Sequence, residues 1–290
     1  MPEGGDAYGG WIGWERAAMT RGAVACGNPD AAAAGVEILE AGGNAIDAAI
    51  ACAFAMGVVE PLDSGLGAGG FMTLHHAASG TTTCFDFMGT VPAATRYELY
   101  QGTDPLGDYT IKVKGRHNED GHRSVAVPGA AAGLCQALEA FGALDRRTVI
   151  APAVRLADSG FTVASKAALR MSRTEAMLDL TEECRRVLKK PDGSLYRAGD
   201  RMAMPDYGRS LEAVAEHGPA AFYTGDLGAA IVADMQAHDG FLTAADLAGY
   251  KVIRREPATG EYRGRRIATM SPPSSGGLVA AGLAALERQG

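Results

Sequence analysis

Four glycines within six residues, Gly65, Gly67, Gly69 and Gly70, form the first candidate for chemistry in this chain of 290 residues. A glycine-rich loop cradles phosphate when it follows a β-strand and opens a helix. Here the glycines follow an apolar, helix-like stretch and precede an alternating, strand-like one, which is the reverse order. We therefore interpret the segment as a tight turn in which glycine permits a positive φ angle or the close approach of another backbone. Such an approach also suits a site that holds a substrate carbonyl group.

The side chains that usually act as nucleophiles, bases or metal ligands show no recognisable spacing. The S-S-G-G segment at 274–277 lacks the G-x-S-x-G arrangement of a serine hydrolase. The histidines form no H-E-x-x-H motif and no pair on one helix face beside a carboxylate; they are His75, His76, His117, His122, His217 and His238. The sequence therefore predicts no metal site, no cofactor and no catalytic constellation within this chain.

The cysteines favour a reducing environment. They are odd in number, widely separated and never in metal-ligand spacing; they are Cys26, Cys52, Cys84, Cys135 and Cys184. Because most lie among apolar residues, we predict buried, reduced thiols and a cytoplasmic location. Residues 1–8 lack the basic start and apolar run of a signal peptide, and the apolar stretch at 45–59 is too short to cross a bilayer, so no membrane partner is expected.

Composition predicts an ordinary globular protein. The chain is 47% hydrophobic and 21% charged, with a net charge of -7, which argues against disorder and against a nucleic-acid partner. We expect a single domain over 1–290, with residues 1–20 flexible and a polar loop excursion over 101–123.

The elements that would position a site are a mixture of helices and antiparallel strands. Strand-like alternation predicts one hairpin from 71–76 and 81–87 and a second over 258–270. Helical composition and capping residues predict helices at 30–39, 45–59, 129–141, 147–158, 165–186, 210–217, 226–238 and 243–247, with another beginning at Leu278. The absence of β-α-β alternation favours an α+β fold over a doubly wound parallel sheet.

Several motifs, taken together and in order, resemble the γ-glutamyltransferase family. They include L-E-A-G-G-N-A-I-D-A-A (39–49), G-V-V-E-P (57–61) and G-L-G-A-G-G-F-M (65–72). The resemblance continues through 86–87, 127–129, 151–157, 218–225, 242–250 and P-P-S-S-G-G (272–277). It covers the chain from about Gly22 onward.

The resemblance implies a four-layer αββα sandwich of the N-terminal-nucleophile hydrolase type, completed by a second chain. Such enzymes cut their own precursor and free a threonine whose α-amino group acts as general base for its hydroxyl. Water or an acceptor amine then resolves the acyl-enzyme. In this family the threonine belongs to a C-terminal small chain beyond the 272–277 motif, so we expect the present residues to be the large-chain portion of a heterodimer and to hold no catalytic residue.

The family's substrate contact in the large chain is an arginine in a D-F-R-E-T-A-P stretch, which pairs with the α-carboxylate of a γ-glutamyl group. This chain reads D-F-M-G-T-V-P at 86–92, so Met88, Gly89 and Thr90 are the predicted substrate-binding residues. A thioether cannot replace a bidentate guanidinium. The sequence therefore predicts a small-molecule acyl donor other than a γ-glutamyl compound, cleaved at an amide or a related bond beside a carbonyl.

Three alternatives remain open. A true γ-glutamyl transferase or glutathione hydrolase would need a surrogate arginine, for which Arg96, Arg116 and Arg123 are the candidates. A carbon–carbon bond hydrolase of an antibiotic pathway would share the fold. A truncated, non-catalytic binding protein would need no nucleophile.

Overall fold

A computed structural model describes residues 22–100, 102 and 112–288. Its helices are α1 (Pro29–Glu40), α2 (Ala45–Val59), α3 (Ala130–Phe141), α4 (Arg146–Ser159), α5 (Ser165–Arg173), α6 (Glu175–Leu178), α7 (Glu182–Leu188), α8 (Pro205–His217), α9 (Pro219–Tyr223), α10 (Asp226–Ala237), α11 (Ala244–Gly249) and α12 (Gly276–Arg288). Its strands are β1 (Phe71–His76), β2 (Thr81–Asp86), β3 (Phe161–Thr162), β4 (Arg201–Met202), β5 (Ile253–Arg255), β6 (Ala258–Tyr262) and β7 (Arg265–Thr269). The mixture of helices with small antiparallel sheets confirms the predicted α+β class.

Helix α2 has the predicted bounds because its start is fixed by a capping box. The Asn44 side chain accepts hydrogen bonds from the amides of Ile46 and Asp47, and the Asp47 carboxylate accepts one from the Asn44 amide. Asp47 is fully buried, and it also accepts a bond from the amide of Ala143. One carboxylate therefore ties the start of α2 to the loop that follows α3.

The core forms around α2, which is apolar on nearly every side. Helices α1, α3 and α4 pack against it, and α8 packs on α4. Ile50, Val58 and Val59 have no exposed surface, and Phe54 is 2% exposed. A helix without a polar face has to be covered on all sides, so α2 is the element around which the described layers assemble.

The first hairpin positions the segment predicted to bind substrate. Strand β1 pairs with β2, and β2 pairs with β5, all antiparallel. Strand β2 ends at Asp86, one residue short of the prediction, although Phe87 still exchanges both backbone hydrogen bonds with Gly70. Strand β5 was not predicted, because its three residues, Ile253 to Arg255, are too few and too polar to show alternation.

The second predicted hairpin is present as β6 and β7. Arg263 and Gly264 form its turn, both with positive φ, which matches the right-handed twist of a two-residue hairpin loop. Helix α12 follows and packs on β6.

The prediction of one helix over 165–186 was wrong. Three short helices, α5, α6 and α7, occupy this stretch. At the end of α5, the Thr174 hydroxyl donates a hydrogen bond to the carbonyl oxygen of Arg170. At the start of α7, the Thr181 hydroxyl accepts a hydrogen bond from the amide of Cys184. Threonine side chains compete in this way with the helical backbone bonds.

Two further predictions are only partly covered by the description. Residues 1–20 lie outside it, as do residues 101 and 103–111 of the excursion at 101–123. A bridge between Gly102 and Val113 closes the base of that excursion, and single 3-10 turns follow at Lys114–Arg116 and His122–Ser124. All five cysteines are free thiols; three are buried as predicted, whereas Cys26 and Cys184 are only partly buried. Within the described ranges, no helix is both long and apolar enough to cross a bilayer.

Candidate functional site

The candidate site is the segment 86–90, which leaves the end of β2 and carries Met88, Gly89 and Thr90 to the surface. Asp86 and Phe87 are buried, whereas the next three residues are exposed. The Met88 side chain is 45% exposed. The structure therefore presents the predicted substrate-binding residues at the exposed end of the central strand of this sheet.

The glycine-rich turn supports this segment from one side. Gly70 and Phe87 exchange two backbone hydrogen bonds, of 3.0 and 3.2 Å. A Cβ atom at Gly69 would lie 2.6 Å from the amide nitrogen of Gly89 and 3.0 Å from the Met88 Cα. Only glycine fits there. The structure thus agrees with the interpretation of the turn as a place of close backbone approach.

A small cavity of about 90 Å³ lies beside the same turn. Gly65, Leu66, Gly69, Phe87 and Tyr207 are among the residues that line it. The Tyr207 hydroxyl accepts a hydrogen bond of 2.9 Å from the Leu66 amide, and burial raises the pKa of this tyrosine to about 12. The phenol therefore stays neutral and fixes the turn from within.

The start of α3 supports the segment from behind. Side chains placed at Gly129 or Gly133 would collide with Phe87. Thr90 and Val127 exchange two backbone hydrogen bonds, of 3.2 and 2.8 Å. The V-P-G motif at 127–129 is therefore a platform on which the site segment lies.

Tyr250, which follows α11, holds the backbone of Met88. Its hydroxyl donates a hydrogen bond of 3.0 Å to the Met88 carbonyl oxygen. The ring stacks on Tyr223 at 5.5 Å, and the Tyr223 hydroxyl donates to the carbonyl oxygen of Pro128. Burial and the nearby charge of Asp86 raise the pKa of Tyr250 to about 12. The phenol is therefore a hydrogen-bond donor at neutral pH.

Asp86 is the buried charge of the site, and Arg255 of β5 neutralises it. The Arg255 Nε and one terminal guanidinium nitrogen each lie 2.8 Å from the same carboxylate oxygen. The other carboxylate oxygen accepts a hydrogen bond of 3.2 Å from the Met88 amide. Asp86 is 6% exposed, so this charge serves to hold the segment.

The structure distinguishes among the three candidate surrogate arginines. Arg116 forms ion pairs with Glu119 and Asp120. Arg123 donates to the carbonyl oxygen of Asp239 and lies over the Phe241 ring. Both guanidinium groups are thus committed to other contacts. Arg96 is exposed on the loop that continues from the site segment, and it remains the candidate.

The structure groups two histidines with a carboxylate, a grouping that their spacing in the sequence does not predict. His122, Asp234 and His238 each offer a ligand atom within 4.8 Å of the others. Asp234 and His238 are four residues apart at the end of α10, a spacing that the sequence shows. His122 is 112 residues away from Asp234, and only the fold brings it there.

Comparisons with known proteins place these features in one family. A family model described as gamma-glutamyltranspeptidase matches residues 31–289. The chain is 39% identical over 264 residues to an acylase ACY 1 proenzyme of Pseudomonas sp. (strain SE83), covering 90% of this chain and 47% of that protein. It is 34% identical over 258 residues to a glutathione hydrolase proenzyme of Escherichia coli (strain K12), covering 89% and 43%. The chain thus spans less than half the length of these relatives.

Solved structures give the same assignment. The gamma-glutamyltranspeptidase of Helicobacter pylori matches with a TM-score of 0.82 and 32% identity, covering 89% of this chain and 72% of that one. A cephalosporin acylase from Bacillus halodurans matches with a TM-score of 0.71 and 30% identity, covering 84% and 45%. The chain belongs to the γ-glutamyltranspeptidase family.

Proposed function

We propose that this chain is the large-chain portion of a self-processed amide hydrolase or acyltransferase whose acyl donor lacks the α-carboxylate of a γ-glutamyl group. The observation that carries the proposal is Met88, which stands exposed where the family resemblance leads us to expect arginine. Its backbone is fixed by Tyr250 and Asp86. Only the side chain is therefore available to select a substrate.

The charges around Met88 support an uncharged acyl donor. The Asp86 carboxylate forms an ion pair with Arg255, and the Tyr250 hydroxyl already donates its hydrogen bond to the Met88 carbonyl oxygen. A hydrogen bond to a charged group contributes about 1.5–3 kcal/mol. An acyl donor with a free carboxylate would find no charged hydrogen-bond donor in the Met88 side chain and would bind without that contribution. An apolar acyl chain needs no such hydrogen bond.

The relatives support both the chemistry and the altered specificity. One is named an acylase proenzyme and another a glutathione hydrolase proenzyme. Acyl transfer through a covalent intermediate fits both names. We infer the nucleophile to be the N-terminal threonine of a C-terminal small chain.

The surface of the described residues supports such a partner chain. Leu278, Val279 and Leu286 of α12 are 76%, 56% and 58% exposed. Ile253 on strand β5 is 48% exposed. Apolar side chains of this size, grouped on one helix, are typical of a face that another layer covers. The proposed occupant is the small chain, which would complete the four-layer sandwich.

The test uses the full-length precursor and three anilides of matched acyl length: γ-glutamyl, glutaryl and pentanoyl p-nitroanilide. We expect the precursor to split into two chains, the smaller beginning with threonine. We expect kcat/KM for the pentanoyl compound to exceed that for the γ-glutamyl compound by tenfold or more. Met88→Arg should reverse the order, and Met177→Arg, on an exposed helix away from the site, should leave it unchanged.

Two results would contradict the proposal. A precursor that stays intact would favour a non-catalytic binding protein, and a small chain without an N-terminal threonine would refute the proposed nucleophile. Cleavage of the γ-glutamyl compound with the highest kcat/KM, unchanged by Met88→Arg, would favour a true γ-glutamyl enzyme.

That second candidate deserves its own test because glutathione hydrolases are among the relatives and Arg96 is exposed on the adjoining loop. If Arg96 is the surrogate, Arg96→Ala should raise KM for the γ-glutamyl anilide at least tenfold and leave KM for the pentanoyl anilide unchanged. Equal effects on both substrates would exclude a role in carboxylate recognition.

A further inference from the structure

Two histidines and an aspartate meet on the surface at the end of α10, on elements that the site segment does not use. His122 lies in the 3-10 turn His122–Ser124, and its Nε2 atom is 2.9 Å from an Asp234 carboxylate oxygen. The Nδ1 atom of His238 is 3.2 Å from the other carboxylate oxygen. The two imidazole rings stack with centroids 4.3 Å apart and planes inclined by 14°. We call these three residues the His-Asp-His cluster.

The elements that bring the cluster together are held by contacts of their own. The Cβ atom of His122 packs against Gly240. A Cβ atom added at Gly240 would lie 3.1 Å from the His122 Cβ atom. The Gly240 amide donates a hydrogen bond of 2.8 Å to the carbonyl oxygen of Met235, and this bond fixes the turn after α10. The Nε atom of the neighbouring Arg123 donates a hydrogen bond of 3.3 Å to the carbonyl oxygen of Asp239. These contacts hold the three side chains at one place on the surface. The Nδ1 atom of His238 also lies 2.9 Å from the Asp234 carbonyl oxygen, so this ring has to rotate to share an ion with His122 and Asp234.

The donor set is that of a transition-metal site. Two imidazole nitrogens and one carboxylate oxygen, all within 4.8 Å of one another, suit zinc and similar divalent ions, whereas calcium and magnesium prefer oxygen ligands alone. Three protein ligands would leave further positions for water.

We propose that His122, Asp234 and His238 form a surface binding site for a divalent transition-metal ion, with zinc as the best fit. The ion would take the place of the direct contact between the His122 ring nitrogen and the Asp234 carboxylate oxygen. It joins two segments that are 112 residues apart in sequence. Because it binds only where these segments meet, it stabilises the folded chain by mass action.

The test titrates the full-length protein, freed of metal with a chelator and desalted, with zinc in a calorimeter and with cobalt in a spectrophotometer. We expect one ion per chain at the cluster, a visible cobalt absorption and a raised Tm with zinc. His122→Ala and His238→Ala should each weaken binding at least tenfold and remove the rise in Tm. His217→Ala, an exposed histidine on α8, should change neither quantity.

Several outcomes would overturn the proposal. Wild-type protein that takes up no ion, or whose Tm does not respond to zinc, would refute it. Binding that persists in both His122→Ala and His238→Ala would assign the metal to other groups, such as the thiols. His238 is 54% exposed, so its replacement leaves the fold intact, and circular dichroism of each variant verifies this. An equal response to magnesium would show that the cluster has no preference for transition metals.

Discussion

The Tyr250 hydroxyl lies 3.0 Å from the carbonyl oxygen of Met88 and donates a hydrogen bond to it, although the two residues are 162 positions apart. This bond fixes the main chain of the site segment and leaves the Met88 side chain untouched. The Asp86 carboxylate acts in the same way on the Met88 amide. The position of the segment is thus fixed through main-chain atoms of Met88, whereas the proposed specificity rests on its side chain.

Replacing Gly69 by alanine is expected to disturb the site segment. The added Cβ would lie 2.6 Å from the Gly89 amide nitrogen, and overpacking of this kind costs about 1–3 kcal/mol. We expect a lower Tm and a fall in kcat/KM. Gly67→Ala is the matched control, because a Cβ there would have no neighbour within 4 Å. Equal effects of the two substitutions would show that the close approach at Gly69 is unimportant.

Tyr250→Phe should loosen the segment while keeping the stacked ring. Loss of one hydrogen bond to a backbone carbonyl costs about 1 kcal/mol, which corresponds to about fivefold in an equilibrium constant. We expect KM for the preferred anilide to rise by about that factor, together with a fall in Tm of about 2 °C. Tyr262→Phe in the β6–β7 hairpin serves as the control. A change in Tm without a change in KM would assign Tyr250 a purely structural role.

The Asp86–Arg255 pair predicts a non-additive double mutant. Arg255→Gln leaves the Asp86 carboxylate, which is 6% exposed, without its cation, and an unsatisfied buried group costs about 1–3 kcal/mol. Asp86→Asn combined with Arg255→Gln should recover part of this loss, because the buried charge is then absent. Urea unfolding of the four proteins measures the coupling. Additive losses would mean that the two side chains act independently.

Cys26 is predicted to react with alkylating agents at unusually low pH. A hydrogen bond from the Cys52 side chain, opposed by burial, lowers the pKa of the Cys26 thiol below its usual value. Since the thiolate is the reactive form, alkylation by iodoacetamide should continue at a lower pH than for an ordinary cysteine thiol. Cys52→Ala removes the donor, so the pKa should rise and the rate at pH 7 should drop. Peptide mass mapping identifies the labelled residue, and an unchanged pH profile in Cys52→Ala would refute the assignment.

Local signals predicted most of the helices and both long hairpins. Asn44 with Asp47 fixed the start of α2 at the predicted residue, because a capping box depends on neighbours in sequence. Strand β5 could not be predicted, since Ile253 to Arg255 become a strand only by pairing with β2. The break of the predicted helix at Thr174 and Thr181 depends on a local competition that composition does not resolve.

The candidate site likewise combines a local motif that the sequence shows with distant contacts that it does not show. The D-F-M-G-T stretch was identified from sequence because it departs from the family's motif at Met88. Its supports, Tyr250 and Arg255, were missed, since a hydrogen bond across 162 residues leaves no periodic signal. Gly129 was part of a recognised motif, but its role under Phe87 emerges only in three dimensions.

Because Tyr250, Asp86 and Gly69 hold residue 88 by its main chain alone, the residue can be exchanged without dismantling its support. A methionine codon becomes an arginine codon by a single nucleotide change. If residue 88 selects the acyl donor, as we propose, substrate preference can change in evolution while the folding of the segment stays under separate selection. A population could therefore move between acyl donors by point mutation, without passing through an unstable intermediate.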